Sequence, residues 1–248
     1  MDIDFHHFRN VYSTNTWALQ NAKLLPRNRL TVVSADEQAA GRGRQANKWE
    51  SPAFLNLYAT FCLFLPMRQD IPNLPQILAL AAIEILKGEG LEPRIKWPND
   101  IYVGNKKIGG ILSETLDFGG ERFIAIGLGL NVNMPKENLA AIPSPATSLL
   151  NELQKEFSVD EILKKITHQF NAYVEIFIEK GFGHFLDQFK RNMILNQKIQ
   201  FKDSNRKLYE GKGMDISADG SLKLLLENGD VKVFQSGELI EGKGKKLT

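Results

Sequence analysis

The sequence predicts an α+β protein: a mixed β-sheet domain with flanking helices over residues 1–194, then a small β-barrel over 195–248. Three observations carry that expectation. Apolar residues recur at helical spacing in two long stretches. Short apolar runs bounded by turn residues lie between those stretches. Beyond about residue 195 only short alternating runs remain.

Taken in chain order, Ser13-Thr14-Asn15 can cap a short helix over 17–25, and 30–33 reads as a strand. Residues 36–50 show no apolar periodicity and read as a long polar loop, whereas 55–65 is a strand. Leu74, Ile77, Leu78, Ala81, Ala82 and Ile85 repeat at i, i+3, i+4, as one face of a core-packed helix does. Strands follow at 94–97, 101–103, 107–115 and 122–132, with tight turns at Gly104-Asn105 and Gly119-Gly120. A short helix is expected over 147–153. Ser158, with Glu161 three residues on, makes a capping box, and Ile162, Leu163, Ile166, Phe170, Val174 and Phe177 continue an amphipathic helix to Gly181. A further short helix holds Phe185 and Phe189. The barrel strands fall at 198–201, 208–216, 222–226 and 231–234, with Asp219-Gly220 and Asn228-Gly229 turns between them.

Hydrophobic residues make up 43% of the chain and charged residues 24%, the balance of an ordinary folded protein. A net charge of +2 is too small for nucleic-acid binding as a main activity and confines any basic function to a particular loop. The single cysteine excludes an intrachain disulfide and a Cys-rich zinc site. Cys62 lies in an apolar strand and reads as a buried core thiol rather than a nucleophile. The four histidines lack metal-ligand spacing, so no protein-borne metal site is expected. The first ten residues carry charge without an apolar signal core, and no apolar stretch approaches ~18 residues. The expectation is a cytoplasmic protein that contacts neither membrane nor DNA.

Three segments depart from plain structural sequence. Gly41-Arg42-Gly43-Arg44, with Lys48 and Trp49 close behind, places cations beside backbone that a ligand can approach closely. Taken alone it also reads as a solvated basic loop. Lys96-Trp97-Pro98-Asn99-Asp100 packs charge and amide chemistry between two apolar strands, where a turn needs only Pro, Asn and Asp. Lys107-Ile108-Gly109-Gly110-Ile111-Leu112-Ser113-Glu114 and Gly127-Leu128-Gly129-Leu130-Asn131 place glycines inside strands. That is unfavourable unless something flat lies against the backbone or each pair marks a bulge.

Together these segments resemble the biotin–protein ligase family. The match runs from Ser13 to about Asn133 in the family's order: Ser13-Thr14-Asn15, Gln38 ahead of Gly-Arg-Gly-Arg-x4-Trp, Lys-Trp-Pro-Asn-Asp, Lys-x-x-Gly-Ile-Leu-x-Glu and Gly-x-Gly-x-Asn. Tyr12 departs from the pattern, standing where many members have a second serine. The resemblance implies a class II synthetase-like catalytic fold with an SH3-like C-terminal barrel. Because nothing like a helix-turn-helix precedes Tyr12, it is to the monofunctional type of the family.

The resemblance also implies an ATP-dependent reaction that forms biotinyl-5′-AMP and transfers biotin to a lysine of a biotin carboxyl carrier domain of a biotin-dependent carboxylase. It admits a homodimer, and it implies Mg²⁺ resting mostly on phosphates and waters. By matching positions, Ser13, Thr14, Asn15, Gln38, Gly41, Arg42, Lys107, Gly110, Gly127 and Gly129 would hold biotin. Arg42, Arg44, Lys48, Trp49, Asn99 and Asn131 would hold ATP, with Trp49 offering its face to adenine. Lys107, Asp100 and Arg44 would carry the chemistry. A lipoate or octanoate ligase would share fold and chemistry, but its Arg-x-x-Gly-Gly-Gly signature is missing. A nucleic-acid-binding module would need a wide basic face.

Overall fold

A computed structural model of the chain describes residues 1–44, 47–195 and 198–240. Strands β1 (Asp2–Val11), β2 (Arg29–Gln38) and β3 (Leu57–Pro66) flank helix α1 (Thr14–Asn21). Helix α2 (Leu74–Gly88) leads to β4 (Pro93–Lys96), β5 (Asp100–Val103), β6 (Lys106–Asp117) and β7 (Glu121–Leu130). Two short helices, α3 (Lys136–Ala140) and α4 (Leu149–Leu153), precede α5 (Val159–Lys180) and α6 (Leu186–Asn192). The chain then continues into β8 (Lys198–Asp203), β9 (Leu208–Ile216), β10 (Leu222–Leu226), β11 (Val231–Phe234) and β12 (Gly237–Ile240).

The strands form a seven-stranded sheet in the order β1-β2-β3-β7-β6-β5-β4 and a five-stranded sheet in the order β11-β10-β9-β8-β12. Only the β1–β2 pair is parallel, so the larger sheet is mixed. The small C-terminal β unit and the helix-flanked sheet are those expected. Residues 241–248 of the expected barrel, and Gln45-Ala46 of the basic segment, lie outside the described residues.

Strand β3 is buried along almost its whole length because both faces of the sheet are covered. Leu57, Ala59, Phe61, Leu63 and Leu65 face the main core, which includes α2 and α5. The alternate residues Cys62 and Phe64 face a smaller core under Ala18 and Ala22. Helix α5 begins at Ser158, whose hydroxyl accepts from Glu161 N at 3.2 Å, and stops at Gly181 with φ 70°.

One expectation needs correction, and three elements are not among those expected. The charged first ten residues form strand β1, because parallel pairing with β2 satisfies their backbone whatever their hydropathy. The polar segment 36–50 is not loop throughout: β2 continues to Gln38, and Arg42 bridges Lys48. Two elements, α3 and β12, have no periodic signal long enough to find. Among the described residues no helix is long and apolar enough to cross a membrane.

Candidate functional site

Apart from Gly41, every residue assigned above to biotin, ATP or the chemistry lines one cavity of about 610 Å³ on the α1 side of the large sheet. Register explains the floor. Gly110 pairs with Gly129, and Gly127 pairs with Thr60 on one side and Leu112 on the other, so three glycines share one face. Asp100 pairs with Gly110 and Lys96 with Asp100, which extends that face to the sheet edge.

Lys107 reaches the same face only through an irregularity. Asp100 and Ile101 pair with Gly110 and Gly109, but Tyr102 pairs with Lys107, skipping Ile108. A bulge of one residue reverses the side-chain alternation beyond it. Ile108 therefore stays in the core while Lys107 turns to the cavity. Its backbone is held from outside the sheet: Lys107 N donates to Pro145 O, and its carbonyl accepts from Thr147 N, each at 2.9 Å.

At the charged end, Lys107 Nζ lies 2.8 Å from Asp100 Oδ1, with both side chains partly exposed. Arg44 donates to Asn99 Oδ1 at 3.3 Å. Burial pulls its guanidinium below the usual arginine value, while Asp100 and Glu238 oppose that shift. Starting so high, the group remains a cation. Asn99 is itself fixed, its Nδ2 donating to Ile111 O while its backbone carbonyl accepts from Ile111 N. Lys48, the most exposed of these cations, pairs with Glu50 at 3.0 Å.

The opposite end is neutral. Gln38 Oε1 accepts from Thr14 N at 2.9 Å and Thr14 Oγ1 at 3.2 Å, and Gln38 Nε2 donates to Ser51 Oγ at 3.1 Å. Ser13, Thr14 and Asn15 at the start of α1 are each almost completely buried.

Trp49 separates the two ends. Its ring packs against the glycine floor, so a Cβ on Gly129 would sit 2.4 Å from the indole and one on Gly110 3.2 Å from it. The Lys107 ammonium stands 5.4 Å over the ring. The Trp49 indole N–H is buried and finds no acceptor among the described residues.

Several assigned residues also serve the packing of the protein itself. Gly41 stands behind the wall, where a Cβ would meet Ser51 Oγ and Trp49 O at 2.5 Å; its role is to let those groups close in. Gly127 is filled by Asn15, whose Oδ1 lies 2.4 Å from the position of a Cβ. Arg42 turns toward the neutral end and donates to Glu114 at 2.8 Å. Asn131 is 3% exposed; its amide donates to Thr147 O at 2.9 Å, tying down the segment that grips Lys107.

Sequence reasoning gave Lys96 no role and missed Tyr102, Ile142, Pro143, Ser144, Ala146 and Glu238 through Ile240, all of which line the cavity. The last three come from β12 in the small domain. Strand β12 pairs with β8, and the small domain meets the large one at a seam where Trp97 Nε1 and Gln76 Nε2 both donate to Gly220 O at 3.1 Å and Asn73 donates to Asp219 O at 2.8 Å. Trp97 is therefore a buried seam residue. Its place directly before Pro98-Asn99-Asp100 was the available signal.

The sequence profile of the biotin/lipoate A/B protein ligase family matches residues 8–133. Among curated proteins, the chain is 32% identical to the chloroplastic biotin–protein ligase 1 of Arabidopsis thaliana, over 68% of this chain and 47% of that one. It is 30% identical to biotin–protein ligase 2 of the same plant, over 82% and 64%. The chain thus spans about half to two thirds of the length of these relatives. Among solved structures, the biotin protein ligase of Aquifex aeolicus in complex with biotin and ATP superposes with a TM-score of 0.79. The two are 28% identical, with 96% of this chain and 97% of that one covered.

Proposed function

We propose that this chain, which belongs to the biotin/lipoate A/B protein ligase family, activates biotin with ATP and transfers it to a lysine of a carrier protein. One observation carries the reading. A single cavity joins a buried neutral hydrogen-bonding end to a Lys107–Asp100 pair at 2.8 Å beside Arg44. The neutral end suits the uncharged ureido ring and the charged end suits a carboxylate meeting phosphate. The Aquifex relative, solved with biotin and ATP, supports the same assignment.

The first step joins a biotin carboxylate oxygen to the α-phosphorus of ATP. The α–β bridging bond breaks and pyrophosphate leaves. Lys107 draws the carboxylate away from solvent by exchanging Asp100 for it, then faces the acyl oxygen as charge develops. That exchange leaves Asp100 free to accept from the ammonium of the incoming lysine, which must lose a proton before its nitrogen attacks the acyl carbon and AMP departs. Arg44, next to Asn99, retains the phosphate of the intermediate. Trp49 covers the floor and excludes water from the anhydride.

Mg²⁺ fits here as the companion of phosphates. Among the described residues no three His, Cys, Asp or Glu side chains group together, and Asp100, Glu50 and Glu238 are the lining carboxylates that would share in holding it. When bound, it neutralises phosphate charge. The neutral end also discriminates against lipoate, which has no ureido group to satisfy Thr14 and Gln38. We assign residues 1–194 to catalysis and 195–248 to completing the charged end through Glu238. The acceptor is a biotin carboxyl carrier domain.

The test is transfer. Incubated with biotin, ATP and Mg²⁺, the protein should label a recombinant carrier domain on a streptavidin blot and spare the same domain with its acceptor lysine changed to arginine. Equal labelling of both domains, or of neither, contradicts the proposal.

A further inference from the structure

Glu114 closes the Lys-x-x-Gly-Ile-Leu-x-Glu motif, yet nothing above gives it or Thr60 a role. The two are linked by hydrogen bonds whose directions can be worked out. Asn15 Nδ2 carries two protons and spends both on groups that only accept: Leu112 O at 3.2 Å and Glu114 Oε2 at 3.0 Å. Asn15 Oδ1 can then only accept. Thr60 Oγ1 is 2.6 Å from it and must give it its one proton.

The Thr60 and Thr14 hydroxyls are 2.8 Å apart. With the Thr60 proton committed, Thr14 can serve that contact only as the donor. Its other neighbour, Gln38 Oε1, is farther off and already accepts the Thr14 backbone N–H. Either way the Thr14 proton is used inside the protein, which leaves the hydroxyl oxygen of this cavity-lining residue to accept. At the far end of the chain, Glu114 also accepts from Arg42 of the basic segment, at 2.8 Å.

We infer that Thr60 and Glu114 are positioning residues whose relay, Arg42–Glu114–Asn15–Thr60–Thr14, fixes Thr14 as an acceptor for a ligand N–H. This rests on the biotin reading, since the N–H it would receive is that of the ureido ring. Thr60 is fully buried and does not line the cavity; it acts through Thr14 and Asn15. The relay also explains why Gly127, opposite Thr60 in register, carries no side chain: the Asn15 amide occupies that space.

The experiment measures biotin-dependent pyrophosphate exchange into ATP for wild type, Thr60→Val, Thr60→Ser and Glu114→Gln. Valine keeps the branched shape and removes the hydroxyl. Thr60→Val should raise KM for biotin about tenfold, the scale of one buried hydrogen bond, with kcat and KM for ATP within about twofold of wild type. Thr60→Ser should restore KM. Glu114→Gln replaces one acceptor oxygen by a donor and should raise KM for biotin roughly three- to fivefold. If Thr60→Val does not fold, the Glu114→Gln split carries the test. Unchanged KM for biotin in folded variants overturns the relay alone. So does a joint change in kcat and both KM values, which marks a structural lesion. A folded wild type with no biotin-dependent exchange overturns the parent reading and the relay together.

Discussion

Thr14, Asn15 and Thr60 are almost wholly buried and spend their protons on one another and on neighbouring acceptors. Across the same cavity, the Lys107 and Asp100 side chains keep 25% and 30% of their surface exposed and meet as an ion pair. The neutral end is closed and directional, so it selects by hydrogen-bond pattern, and a ligand lacking the right groups leaves buried atoms unpaired. The charged end is open and exchangeable, so its partners can change during a reaction. On the proposed function, selection and chemistry are divided between the two ends of one floor.

If that division is correct, lesions at the two ends should fail differently. Lys107→Ala should fold and still bind biotin but lose adenylation by roughly a hundredfold, the scale of one positioned charge at a developing anion. Single-turnover rates beside a biotin titration would show it. Lys107→Arg should rescue poorly, because a broad planar fork replaces a compact charge. Gly127→Ala attacks the neutral end instead. Its Cβ would displace Asn15 Oδ1 and should destabilise the fold by about 1–3 kcal/mol, with weakened biotin binding, measured by urea unfolding and calorimetry.

Arg44→Gly sharpens the comparison from the side of retention. It should still form the adenylate but release it early, so an unrelated lysine-rich protein in the same tube becomes biotinylated several times more than with wild type. A blot against that bystander decides it. A smaller effect is expected at the seam. Trp97→Phe removes one donor to Gly220 O but leaves that of Gln76, so it should cost about 1 kcal/mol and lower Tm by about 2–4 °C.

Cys62 lines neither end of the cavity, although its thiol donates to Thr60 O at 3.9 Å, and burial pushes that thiol well above the usual cysteine range. The neutral thiol is the stable form in the folded protein at any pH below that raised value. Alkylation at pH 8 should therefore be negligible until urea unfolds the chain, as mass spectrometry would record.

Much of this was legible because periodic apolar patterns report burial directly. The helix face of Leu74 through Ile85 and the Ser158 cap of α5 both fall where the spacing put them. The ordered polar motifs also converge on one cavity. What stayed hidden depends on long-range pairing. Strand β1 has too mixed a hydropathy to announce itself, and only the neighbouring β2 makes it a strand. The turn of Lys107 into the cavity depends on a bulge that strict alternation would not predict. Glu238 joins the site through pairing of β12 with β8 in a small domain whose contacts with Trp97 and Asn73 are long-range. The Asn131 amide looks like a ligand contact in sequence, but its partner is Thr147 O.

The central claim, that a ureido-specific end feeds a carboxylate-activating end, is tested most directly by competition. The protein is incubated with ATP, Mg²⁺ and equal concentrations of biotin and lipoate, and the acyl-adenylates are quantified by mass spectrometry. The account predicts biotinyl-5′-AMP with lipoyl-AMP at background. Comparable amounts of the two adenylates would contradict it.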